Sequence, residues 1–376
     1  FLVIAVLVIY ALATHKQIGE LCAGVAILLF GMFFLGDGFK SFSGGFLERI
    51  LARYTKTPLK SIVFGTLATM IMQSSTLVSV LAISFASASL ITLTQGIGVM
   101  FGANLGNTAG SWLIAGASSI NISSLALPLI AGGVLLTFHS SKIYKGIGKV
   151  LAGLGFFFLG VFYIKAGFES FQGVMDLSQY KFEGYKAVFA FLLLGAAITA
   201  IIQSSHATLA IIITAFLEHQ ISYDAALAAV LGTSVGGVVT ALIASLSANA
   251  EGRRLALANC IFNFTTVFLV VAFFPLFKFA NDFLADLIHL QSDSILRLSL
   301  FHTLFNLFGI VLLTAFIPAL ARFLSKIFKQ AAKSESTPLF INDTLLPFHD
   351  TAVKALGNEV YHLYDNAFTI IAHTIG

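Results

Sequence analysis

Gln73-Ser74-Ser75 and Gln203-Ser204-Ser205 interrupt otherwise apolar runs, the second 130 positions after the first. Uncharged side chains of these types can hold an ion: Ser hydroxyls donate to anion oxygens, Gln donates or accepts, and hydroxyl and freed carbonyl oxygens ligate a small cation. A helix that starts just after such an interruption also presents unpaired N–H groups and the positive end of its dipole, and both favour an anion. Further polar residues follow each tripeptide, with Asn104, Asn107 and Thr108 in one half and Thr233 and Ser234 in the other. Polar groups at bilayer depth are costly unless partnered, so these are expected to face the same cavity. The residue after each tripeptide differs: Thr76 keeps a hydroxyl, and His206 replaces it with imidazole. Two readings of His206 stand, a titratable group beside the ion or a neutral ring bonded to a carbonyl of the turn, and the second is preferred.

The elements that must position these residues are duplicated. Gly65, Thr69, Gln73, Gly102 and Gly106 map without a gap onto Gly195, Thr199, Gln203, Gly232 and Gly236. Upstream, Gly31, Phe33, Phe34, Leu35 and Gly36 recur at Gly155, Phe157, Phe158, Leu159 and Gly160, and Gly38-Phe39-Lys40-Ser41-Phe42 recurs as Gly167-Phe168-Glu169-Ser170-Phe171. Fixed order over such a stretch marks a repeat.

Composition places the repeat in a membrane. Hydrophobic residues make up 58% and charged residues 10%, with mean hydropathy +0.94, against about 25% charged in soluble domains. No Asp, Glu, Lys or Arg occurs between residues 61 and 138. The net charge of +4 comes from basic loops and argues for membrane orientation, with no nucleic-acid partner. Apolar segments fall near 1–14, 18–36, 60–90, 92–115, 121–138, 145–172, 187–217, 224–247, 254–280 and 295–327. Those at 60–90 and 187–217 exceed one span and carry Gln-Ser-Ser at their centre, so each is expected to be a helical hairpin whose turn is shielded by protein or lines a water-filled cavity. After each hairpin runs a ridge of small residues at four-residue spacing: Gly98, Gly102, Gly106 and Gly110, then Ala228, Gly232, Gly236, Thr240 and Ala244. Such ridges let another backbone approach closely. The opening run, residues 1–13, reads as a clipped first helix, and Cys22 and Cys260 read as small buried hydrophobes.

Arg322, Lys326, Lys329 and Lys333 follow the last span, whereas Asp282, Asp286 and Asp293 precede it with Lys278 and Arg297. The positive-inside rule puts the C-terminal end in the cytoplasm, and Arg253 and Arg254 alternate correctly. Beyond Lys333, apolar residues at Val353, Leu356, Val360, Leu363, Ala367 and Ile370 describe one amphipathic helix, with Glu359 and Asp365 on its expected solvated face.

The paired Gln-Ser-Ser hairpins, each followed by a Gly-x-Asn/Ser-x-Gly helix, resemble the sodium/phosphate cotransporter family over residues 20–325, and residues 338–376, beginning Pro338-Leu339-Phe340-Ile341, look like the start of a PhoU-like helical domain. The resemblance implies an all-α protein of the inner (plasma) membrane. Its transport domain, residues 1–330, would hold two inverted repeats, about 18–138 and 147–280, each with a re-entrant hairpin; residues 334–376 would open the PhoU-like part. It implies sodium-coupled transport of inorganic phosphate by alternating access, with sodium as coupling ion and no cofactor. Gln73, Ser74, Ser75, Gln203, Ser204 and Ser205 would line the phosphate site, and Thr76, Asn104, Asn107, Thr108, Thr233 and Ser234 would lie at or near sodium. The family's usual fourth residue is Ser, so His206 is a departure. Partners would be phosphate, sodium and the bilayer, with a homodimer or docking of the C-terminal helix left open.

Other classes fit less well. Gly232-Thr233-Ser234-Val235-Gly236 matches the hydrolase pattern G-x-S-x-G, but its repeat mate carries Asn104 at the nucleophile position and neither follows a strand. A channel, a membrane scaffold and a carrier of sulfate or a carboxylate remain alternatives, and the last is the strongest.

Overall fold

A computed structural model describes residues 14–43, 55–119, 123–171, 184–246, 248–290, 294–328 and 349–375, with isolated positions at 10, 12, 51, 338, 340 and 341. Fourteen helices are present among them, and no strand. They are α1 (Lys16–Ser43), α2 (Pro58–Met72), α3 (Ser75–Ser87), α4 (Leu93–Ser119), α5 (Ser123–Thr137), α6 (Lys142–Phe171) and α7 (Tyr185–Ile202). There follow α8 (Ser205–Leu217), α9 (Tyr223–Ser245), α10 (Ala250–Ala272), α11 (Phe274–Leu287), α12 (Ser294–Thr314), α13 (Ile317–Ile327) and α14 (His349–Ile375). Segments in α1, α6, α7, α9, α10 and α12 are long and apolar enough to cross a membrane. Most of the expected first helix, Asp293, Lys329, Lys333 and Leu339 lie outside the described residues.

Both long apolar segments break where the polar tripeptides fall. Helix α2 starts on Pro58 behind the N-cap Thr57 and ends at Gln73, whose φ of 49° is left-handed. Ser74 is extended, and its Oγ accepts from Leu77 N at 3.2 Å, which caps α3. The second break repeats these features: Gln203 has φ 57°, and Ser204 Oγ accepts from Ala207 N at 3.3 Å. A non-glycine residue in the left-handed region costs roughly 1–2 kcal/mol. A Ser N-cap returns about 1 kcal/mol by satisfying an orphan N–H.

Each hairpin packs on the helix that follows it. A Cβ at Gly65 would overlap Val99 O and one at Gly195 would overlap Ala229 O. Likewise Gly102 lies against Ile62 O and Gly232 against Leu192 O. Every member of the second set is the first displaced by 130 residues, so the duplication extends to backbone contacts. The same packing accounts for both glycines of the G-x-S-x-G pentapeptide, which lies inside α9.

Helices α1 and α6, which carry the upstream repeat, pack on each other along their lengths. Gly24 meets Ile164, Gly31 meets Phe157 and Gly38 meets Val150, so positions rise along one helix as they fall along the other. The two run antiparallel.

The apolar segments 254–280 and 295–327, each read as one run, are broken in the structure. Helix α10 ends before Phe273 and α11 restarts with Pro275 in its first turn. Helix α13 restarts with Pro318 in its first turn. Proline lacks the N–H that a continuing helix needs and clashes with the preceding turn.

Charged residues gather at two ends. At one, Lys278 pairs with Asp224, Arg297 pairs with Asp282 and Asp286, and Tyr223 donates to Asp282 at 3.0 Å, joining α9, α11 and α12. At the other, Arg254 pairs with Glu251 and donates to Phe328 O, joining α10 to the end of α13. Arg254 is thus a buried latch within α10, not a loop charge.

The tail helix corrects the expected faces. Glu359 is only 5% exposed and accepts from Phe340 N at 2.7 Å, while Val353, Leu356, Val360 and Leu363 are all more than half exposed. Helix α14 docks through Thr351, Ala355 and Glu359, with Ala355 packed near Ala88 and Asn358 donating to Ala88 O at 3.4 Å. Its apolar stripe faces outward. Asp365 lies on the exposed side as expected.

Candidate ion-binding site

The first residues of α3 and α8 converge on one side chain of α4. Ser75 Oγ donates to Asn107 Oδ1 at 3.2 Å, and Asn107 Nδ2 donates to Ser205 Oγ at 3.0 Å. Residues 130 apart in sequence therefore meet through Asn107, each at the first position of its helix.

Around this bridge lies a cavity of about 40 Å³. A cavity of that size suits a small ion or a little water, whereas drug-sized ligands occupy roughly 300–1,000 Å³. Its lining includes Thr76, Asn104, Thr233 and Ser234, and among the described residues no Asp, Glu, Lys or Arg. An ion here would be held by dipoles alone.

A second polar layer comes from α10 and α12. Asn104 Nδ2 donates to Asn259 Oδ1 at 2.9 Å, and Asn263 Nδ2 donates to Asn259 Oδ1 at 3.1 Å and lies 3.3 Å from Asn104 Oδ1. His302 Nδ1 lies 3.3 Å from Ser111 Oγ, and Asn306 Nδ2 donates to His302 O at 2.9 Å. Asn259, Asn263, His302 and Asn306 are buried and line the cavity. Sequence reasoning missed these four because they have no counterpart in the duplication. A signal was present all the same: Asn259 with Asn263 and His302 with Asn306 are i, i+4 polar pairs inside apolar spans.

Of the residues expected at the anion, Ser75 and Ser205 line the cavity; Gln73, Ser74, Gln203 and Ser204 do not. Ser74 and Ser204 spend their hydroxyls as N-caps. Gln73 Nε2 turns back to Met70 O at 2.6 Å, and Gln203 is exposed. Of those expected near sodium, Thr76, Asn104, Asn107, Thr233 and Ser234 line the cavity. Thr108 is buried, donates to Leu105 O at 2.8 Å and stays outside it. His206 is 3% exposed; its imidazole reaches the backbone of Asn107 on α4, not a carbonyl of its own turn, and Nε2 has no hydrogen-bond partner.

Six candidate spans, paired broken helices and a charge-free polar cavity between them define a multi-pass membrane protein built around an ion-sized site. The chain belongs to the Na+/Pi-cotransporter family, whose profile matches residues 27–166 and 178–292. It is similar to "Uncharacterized protein YqeW" of Bacillus subtilis, 28% identical over 288 residues, which covers 75% of this chain and 89% of that protein. It is also similar to "Putative inorganic phosphate export protein YjbB" of Escherichia coli K12, 26% identical over 358 residues. The Salmonella typhimurium protein of the same name is 27% identical over 350 residues. In both cases the match covers 90% of this chain and 61% of the relative, so the chain spans about three fifths of their length. No solved structure matches the chain.

Proposed function

We propose that this chain is a sodium-coupled carrier of inorganic phosphate that works by alternating access between two inverted repeats. The observation that carries the reading is the convergence of Ser75 and Ser205 on Asn107 in a cavity without charged side chains. Serine hydroxyls and the two helix starts donate to phosphate oxygens, and Asn107 Oδ1 accepts the proton that hydrogen phosphate carries. Without Lys or Arg to offset it, a desolvated anion binds poorly alone. A sodium ion held beside it by hydroxyl and amide oxygens of Thr76, Asn104, Thr233 and Ser234 lowers that cost, which is the physical origin of coupling.

Two observations support inversion. Helices α1 and α6 carry the same sequence pattern and run antiparallel. The end of α3 meets Asn249, ahead of α10, whereas the end of α8 lies by Lys165 and the start of α9, at the other end of the bundle. Mates that point to opposite ends support reading the two hairpins as re-entrant elements entering from opposite faces. The tail helix docks at the end of α3, the side on which Arg254 meets Phe328, just after Arg322 and Lys326 of α13. By the positive-inside rule that side is cytoplasmic in the inner membrane, and residues 338–376 would begin a PhoU-like part there.

Equilibrium binding of radiolabelled phosphate to the detergent-purified chain tests the site. Tight binding in sodium, weak binding in potassium or choline, and little displacement by sulfate are expected. Equal binding in all three salts would remove sodium from the site, and displacement by sulfate or a carboxylate at phosphate-like concentrations would move the substrate to that anion.

A further inference from the structure

The duplication gives the cavity residues on α3, α4, α8 and α9 counterparts 130 positions away, and the cavity treats those counterparts unequally. Both members of Ser75/Ser205, Asn104/Ser234 and Asn107/Gly237 line it, so the cavity straddles the axis that relates the halves. Away from that axis only one member of each pair does: Thr76 but not His206, Ser79 but not Leu209, Thr240 but not Gly110. The reason is local. The His206 ring lies flush on Gly110, where a Cβ would overlap Cδ2 and Nε2, and the three atoms nearest such a Cβ all belong to His206. In the other half the same two positions hold Thr76 and Thr240, two hydroxyls that leave the space open. Gly110 is thus the concession that admits the imidazole. Nε2 is buried with no hydrogen-bond partner, so on that side the ring fills space without making a polar contact.

We propose that the fold contains two equivalent subsites for a small monovalent cation and that His206 plugs one of them, which leaves a single subsite on the Thr76 side. This deepens the carrier reading above and rests on it. His206 then sets how many cations accompany the anion, acting as a steric residue in place of a ligand.

The open half supplies the test, since its residues can be transplanted. Gly110→Thr alone should prevent folding or sharply lower the thermal midpoint, because its Cβ meets the ring. His206→Thr with Gly110→Thr should restore the midpoint and copy the Thr76/Thr240 arrangement. Sodium dependence of phosphate binding is then compared, with the chain's single tryptophan, Trp112, as reporter: it lies two residues from Gly110 and donates to Thr303 Oγ1 at 2.9 Å. The double variant should show a Hill coefficient for sodium higher by about one than the wild type, since that coefficient is limited by the number of sites. The mirror variant, Thr76→His with Thr240→Gly, should lose the sodium response. A wild type indifferent to sodium sinks the carrier reading and the plug with it. A sodium response in the wild type that stays the same in both double variants sinks the plug alone, as does failure of His206→Thr to rescue Gly110→Thr.

Discussion

At the break after α2 the hydroxyl of Thr69 is buried without a hydrogen-bond partner, whereas at the break after α7 its counterpart Thr199 lies 2.8 Å from Gly195 O and 2.9 Å from Thr208 Oγ1. One of those two partners is lost by sequence, since Val78 stands where the second half has Thr208. The two halves share the same left-handed Gln, the same Ser cap and the same glycine contacts, yet they differ in the side chains around those constants. Shared features hold the backbone break open. On the carrier reading, unshared ones, Thr76 against His206 and Asn107 against Gly237, would decide what the break binds.

The largest expected effect comes from the residue that ties the halves together. Asn107→Leu removes the partner of both Ser75 and Ser205 and leaves their hydroxyls without it in a half-buried site, at up to about 1–3 kcal/mol for each bond left unmade. Sodium-dependent phosphate binding should be lost. Gly237→Ala, at the counterpart position, puts a methyl into the open space of the cavity without removing a hydrogen bond and should weaken binding far less. Equal losses in the two variants would show that the bridge is not special.

A smaller effect should separate the two threonines. Thr199→Val breaks a hydrogen-bonded pair and should lower stability by about 1 kcal/mol. Thr69→Val removes a buried hydroxyl that has no partner, so stability should hold or rise. Thermal unfolding in detergent reads both, and a Thr69→Val loss equal to that of Thr199→Val would mean that Thr69 is satisfied in the bilayer.

Much of this comparison was legible in the sequence. The breaks followed from Gln-Ser-Ser inside segments too long for one span, and the glycine ridges followed from their four-residue spacing. Both signals are periodic or duplicated, so they stand out from a uniformly apolar background. Asn259, Asn263, His302 and Asn306 occur once each and belong to helices brought in by tertiary packing, which no repeat marks. The tail helix shows another limit: periodicity identifies its apolar face, but the buried face is the one carrying Thr351, Ala355 and Glu359. Which face docks depends on what the partner surface offers, here Ala88 and the backbone of residue 340.

The smallest expected effect concerns the glutamines. Their left-handed φ of 49° and 57° would suit glycine, so Gln73→Gly and Gln203→Gly should change stability by no more than about 1 kcal/mol, with relief of strain opposing lost rigidity. If either variant stays folded but loses phosphate binding, the amide side chain belongs to the anion site despite lying outside the cavity. Retained binding in both would assign these residues to the backbone break alone.

The central claim is that a phosphate ion crosses the membrane through the bridged cavity only in the company of sodium. Uptake of radiolabelled phosphate into proteoliposomes, driven by an inward sodium gradient and repeated with potassium or choline in its place, tests this directly. The expected result is saturable accumulation that collapses when the gradient is dissipated and is absent with Asn107→Leu. Uptake that is indifferent to the sodium gradient, or that survives Asn107→Leu, would contradict the account.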